Sequence, residues 1–206
     1  MVLLIASIVM AGVVYSQAPI NNWILICSDP DEGYGANIKA VYYLVSGNMI
    51  YFKVVYYREF DNLTDIDTGI FFDVDLNPGT GYNVDQYPGA NTSVGAEYVI
   101  VIGNEALQLN GVPAAVWHYI DSTTWNVTGG VPADYYHIPV PGKVAIVGFS
   151  LDKFPGLQKR VRIVTSEVYS NWDWCPDKGN IVINLDLVVG GAISSDTTAL
   201  VYREYL

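Results

Sequence analysis

GIFFDVDLNPGTGYNVDQYPGANTSVGAEYVIVI, residues Gly69 to Ile102, is the stretch on which the fold turns. It opens with an alternation of period two. Ile70, Phe72, Val74 and Leu76 fall on one face of an extended strand, and Asp73, Asp75 and Asn77 on the other. Pro78-Gly79-Thr80-Gly81 signals a turn, a polar loop holds Asp85 and Asn91, and Glu97 to Ile102 brings the chain back as a second strand. Two carboxylates and an amide at i, i+2 and i+4 repel one another unless positive charge lies between them. A hard cation with oxygen ligands, most simply Ca²⁺, supplies that charge. Asp73, Asp75, Asn77 and Asp85 are therefore the candidate metal ligands. A solvated polar face is the alternative reading. The spacing lacks the mid-loop glycine and closing glutamate of an EF-hand, so it is not that motif.

The run Asp73-x-Asp75-x-Asn77-Pro78-x-Thr80-Gly81-Tyr82, followed by Gly95-Ala96-Glu97-Tyr98, resembles the carbohydrate-binding modules of family nine and the related DOMON-like β-sandwiches. Three further pieces are similar: Ser46-Gly47-Asn48-Met49-Ile50-Tyr51-Phe52 as a tight turn into a strand, Val144 to Leu151 as a late core strand, and Trp174-Cys175-Pro176-Asp177-Lys178-Gly179 as a closing turn. Together they run from about Asp29 to Asn184, in the family's order. The resemblance implies a β-sandwich, often stabilised by calcium, that binds sugars or, in some branches, haem. It transfers fold better than function. The two histidines, His118 and His137, read more readily as structural residues than as haem ligands.

Outside this stretch the chain continues as an all-β sequence. The 206 residues suit a single domain with short tails, 51% are hydrophobic, and sixteen tyrosines favour strands over helices. The expected fold is an antiparallel β-sandwich, jelly-roll or immunoglobulin-like, over residues 19–189. A hydrophobic segment precedes it at 1–18, and a strand-like tail follows at 190–206. Lys39 to Val45 and Ile50 to Tyr57 read as a hairpin across Ser46-Gly47-Asn48, apolar on both faces and hence central. Asp61, Asp65 and Asp67 fall in the loop after it. Gly103 to Gly142 is irregular, with a short strand at Val116 to Ile120. Lys143 to Leu151, Arg160 to Val168 and Ile181 to Leu187 complete the strands.

Met1 to Tyr15 is uncharged and apolar, too short for a comfortable membrane span, and reads as an export signal cleaved after Ser16 or Ala18. If retained, it must be buried in a partner or a bilayer. Cys27 and Cys175, with an export signal, imply one disulfide. Sequons stand at Asn62, Asn91 and Asn126, all in expected loops. The net charge of −11 argues against nucleic acid as a partner, and no stable membrane span is expected in the mature protein.

No Gly-x-Ser-x-Gly, phosphate loop or His-Glu-x-x-His is present, and the chain reads as non-enzymatic. Two functions compete. The first is a structural subunit of a cell-surface filament or pilus, of the archaeal type. It would self-associate head to tail by strand donation from Val13 to Ile26, with Val13, Tyr15, Ile20 and Ile24 entering the neighbour. The second is a secreted, calcium-stabilised carbohydrate-binding module, with Trp117, Trp125 and Trp172 as candidate glycan contacts.

Overall fold

The computed structural model describes residues 23–33, 37–121, 124–167 and 172–188. Among these residues fifteen strands and one short α-helix follow in chain order. The first seven strands are β1 (Ile24–Ser28), β2 (Ile38–Ser46), β3 (Met49–Phe60), β4 (Asp67–Asp73), β5 (Tyr82–Asn83), β6 (Gly95–Ala96) and β7 (Tyr98–Gly103). After α1 (Asn104–Asn110) come β8 (Ala114–Asp121), β9 (Thr124–Trp125), β10 (Val131–Pro132), β11 (Tyr135–His137), β12 (Gly142–Ser150), β13 (Arg160–Glu167), β14 (Asp173–Cys175) and β15 (Ile181–Asn184).

All of these strands but β5 and β6, which pair only with each other, form two antiparallel sheets packed face to face. One has the order β1-β2-β3-β12-β11. The other runs β10-β8-β7-β4-β13-β14, with β15 also on β13 and β9 on β8. The expected hairpin is β2–β3, closed by the two-residue turn Gly47–Asn48, with Gly47 at φ +58° where such turns favour glycine. Both strands lie inside their sheet, as their two-faced apolar pattern requires. Inward-facing Val41, Tyr43, Phe52 and Val54 meet Ile70, Phe72, Ile100 and Ile163 from the opposite sheet. Phe52 and Phe72 cross edge to face at 5.4 Å between ring centroids. Truncating one such ring to alanine costs about 3–5 kcal/mol.

A third layer covers the outer face of the second sheet. Phe71, Val99, Val101, Ala115, Trp117 and Val164 point outward, yet all are buried beneath Val84, Val94, Ala106 and Trp174. The polar loop expected after Pro78 is part of this cover, pinned by β5–β6 pairing. At Gly95 a Cβ would fall 1.9 Å from the Thr80 carbonyl oxygen, so only glycine lets the loop fold back there.

Several boundaries differ from those expected. β4 begins at Asp67, so Asp67 sits on a strand and not in a loop, and the strand ends at Asp73, leaving Asp75 in the turn. Within the irregular stretch, Asn104 to Asn110 is helical, and β8 begins at Ala114. The last strand stops at Asn184 and gives way to a 3₁₀ turn at Leu185–Val188. The segment 1–18 and the tail 190–206 lie outside the described residues.

Cys27 and Cys175 form a disulfide with Cα atoms 5.9 Å apart, tying the end of β1 to the end of β14. Across 148 residues such a link stabilises by about 4–5 kcal/mol in the chain-entropy account. Among the described residues no helix is long and apolar enough to cross a membrane.

Candidate functional site

The register of the second sheet builds a floor on its outer face. Ser166, Gly69, Val101 and Ala115 stand side by side on four adjacent strands, and Val164, Phe71, Val99 and Trp117 form the next row. Gly69 leaves the first row low: a Cβ there would lie 3.1 Å from the Phe71 ring and 3.4 Å from Ser166 Oγ. Above this floor is a cleft of about 460 Å³. Its walls are Tyr87 from the covering loop, Trp125 from β9 and Trp172 just before β14. The Tyr87 and Trp172 rings lie 4.6 Å apart, and Trp125 Nε1 donates to the Tyr87 hydroxyl at 3.2 Å. Trp174 stacks behind Trp172 at 5.7 Å and donates from Nε1 to the Pro88 carbonyl, fixing the wall from outside.

The three tryptophans singled out as candidate glycan contacts, Trp117, Trp125 and Trp172, all line this one cleft. They are not equivalent. Trp117 is 4% exposed and donates from Nε1 to Asn110 Oδ1 at 2.8 Å, so it is largely a core residue, whereas Trp125 and Trp172 are half-buried.

One end of the cleft is acidic, and sequence reasoning missed it. Asp67 continues the outward row of Gly69 and Phe71, and Glu105 reaches it from α1. The helix is held there by Gly103, at φ +104°, where a Cβ would fall 2.2 Å from the Ile66 carbonyl oxygen. The Asn104 amide donates to that same oxygen at 2.9 Å. Burial and the Glu105 carboxylate push the Asp67 carboxyl up to about 7, with a smaller push from Glu167 and against an opposing bond from the Glu105 amide. Burial also raises Glu105. Ser166, 1% exposed, has its Oγ buried in this floor without a hydrogen-bond partner.

The proposed metal ligands do not all converge. Asp73, Asp75 and Glu97 each offer a carboxylate oxygen within 4.8 Å of the others. Glu97 was not foreseen; pairing of β7 with β4 puts it beside Asp73, its amide donating to the Phe72 carbonyl. Asn77 instead accepts from the Gly79 amide, and Asp85 accepts from the Thr92 and Ser93 amides and the Thr92 hydroxyl, capping its own loop. Part of the expected positive charge is Arg162, whose Nη1 lies 2.8 Å from Asp73 Oδ2. Burial raises Asp73 and Glu97 alike, and Glu97 Oε1 is buried without a partner. Three converging carboxylates with an orphaned oxygen fit a hard cation; they do not select calcium among such ions.

Of the glycosylation candidates, Asn62 and Asn91 are exposed, while Asn126 is half-buried and accepts from the Gly129 amide. Val13, Tyr15 and Ile20 lie outside the described residues. Ile24 sits in β1 opposite Tyr43 and packs against the chain's own core. No family model matches the chain, and no curated protein matches it.

Proposed function

We propose that the chain is a non-enzymatic, extracellular β-sandwich module that binds a saccharide in the aromatic cleft on the outer face of its second sheet. The observation carrying this reading is that Trp117 and Trp125, from the paired strands β8 and β9, and the sequence-distant Trp172 line a single ring-sized cleft with an unpartnered hydroxyl in its floor. Indole faces stack on the apolar C–H face of a pyranose, while Ser166, Asn104 and the acidic end meet its hydroxyls. The resemblance to family nine and DOMON-like sandwiches points the same way, and the disulfide suits an oxidising compartment.

Calorimetric titration with a panel of oligosaccharides tests the reading. Binding should be lost in Trp125→Ala and in Trp172→Ala, each with a near-native Tm, and the sugar should be recovered uncleaved. Absence of binding to every sugar, or binding unaffected by both substitutions, contradicts it.

Calcium is proposed as the structural ion at Asp73, Asp75 and Glu97, outside the cleft. A second reading, a filament subunit joined head to tail by strand donation, draws on β1. That strand is the edge of its sheet among the described residues, and its Leu25 is 43% exposed. Electron microscopy of the full chain, with and without residues 1–19, tests it. Filaments that need the segment support donation; filaments that form without it, or none at high concentration, refute it.

A further inference from the structure

Taking the cleft as a saccharide site, as proposed above, we infer that the sugar it takes carries a protonated amine, seated against Asp67 and Glu105 with its ring against the aromatic lining. Beside its aromatic residues, the polar residues lining the cleft among the described residues are Asp67, Asn104, Glu105 and Ser166, with no lysine or arginine among them. No ion pair engages Asp67 or Glu105 among the described residues. Asp67 is only 7% exposed. A carboxylate buried without a cation either takes up a proton or draws in a positive group. Here the neighbouring charges make that choice sharper. Glu105 and Glu167 are both negative and both disfavour ionised Asp67.

A neutral sugar can donate hydroxyls to these groups but leaves Asp67 to keep a proton in order to avoid the neighbouring charges. An acidic sugar would add to those charges. An ammonium offsets them, forming charge-assisted hydrogen bonds to both carboxylates. Ser166 Oγ, lacking any partner in the floor, is available to accept from the same amine or an adjacent hydroxyl. The walls favour the same ligand. Tyr87, Trp125 and Trp172 line the cleft with aromatic rings, whose π-systems attract a cation as well as a C–H surface. The chain's net charge of −11 raises the local concentration of cationic ligands further.

The experiment compares a trimer of glucosamine, its fully N-acetylated counterpart and cellotriose by calorimetry, at a pH where the amine is protonated. The glucosamine trimer should bind about tenfold more tightly than cellotriose, the factor a single charge-assisted hydrogen bond supplies. Asp67→Asn and Glu105→Gln should each bring that ratio toward one. Glu105 stands in the first turn of the short helix α1 and not in the sheet, so the second variant remains informative if the first fails to fold. Equal affinities for all three trimers, a preference for the acetylated one, or a ratio kept in both variants overturns the inference while leaving the saccharide site standing. Binding of none overturns both.

Discussion

Asp29 is the residue whose chemistry depends most on the disulfide. It lies two positions after Cys27, while Asp173 and Asp177 flank Cys175, so the Cys27–Cys175 bond draws three carboxyl groups together. Asp29 Oδ2 and Asp173 Oδ1 are buried without partners, and Asp173 Oδ2 accepts from the Ile38 amide at 2.6 Å. Burial, then the charges of Asp173 and Asp177, push Asp29 from its usual 3.8 up to about 8. A carboxyl whose folded value lies above its unfolded one favours the folded state fully below the unfolded value. That favour is lost as the pH rises through the folded one. Tm should therefore fall as the pH rises from about 3.8 to about 8, and Asp29→Asn should fall less, since an amide has no proton to lose. An equal fall in both proteins contradicts the assignment. Trp117 poses a different test at the same scale. Its burial and its bond to Asn110 make Trp117→Ala a core truncation, expected to cost about 3–5 kcal/mol in chemical denaturation. A loss below about 1 kcal/mol would show that its packing is not structural.

At the scale of elements, the end of β4, the turn after it and the junction of β6 with β7 hold the candidate ion. If calcium binds Asp73, Asp75 and Glu97, excess chelator should lower Tm and added calcium restore it, by about 2.7 kcal/mol when the ion stands at a hundred times its dissociation constant. An unchanged melting curve removes the ion from the account. Arg162→Ala should cost about 3–5 kcal/mol in chelator, because Asp73 would be left charged and buried, and less in calcium, which takes over the role. The same cost in both conditions would separate the ion from Asp73. Element by element, legibility in the sequence followed the range of the contacts. The β2–β3 hairpin was legible because its alternation and its glycine turn are local. Helix α1 was not: Asn104 to Asn110 is too short to show a repeating apolar stripe, and its start is set by a contact from Gly103 to Ile66. Asp67 was read as loop because Asp65-Ile66-Asp67-Thr68 carries polar residues at both strand faces. Its outward-facing carboxylate is in fact sheltered by α1, and its inward-facing threonine bonds the Tyr56 hydroxyl at 2.7 Å. Glu97 was missed as a ligand for a related reason: only strand register places it beside Asp73.

For the whole molecule, the sandwich and its disulfide were both legible, the first from period-two patterns and the second from an even cysteine count. The aromatic residue types of the cleft were legible too; their convergence was not, since Tyr87, Trp117, Trp125 and Trp172 are joined only when the loops fold over one sheet. That convergence is the centre of the account, and the five indoles of the chain report on it directly. Indole N–H resonances, assigned by single Trp→Phe variants, should be followed by NMR while the glucosamine trimer is titrated in. Trp125 and Trp172 should shift along saturable curves. Trp23, which lies under Lys53 on the opposite sheet, should stay fixed. Shifts confined to Trp23, or none at all for this trimer and for cellotriose, would contradict the assignment of the cleft as the ligand site.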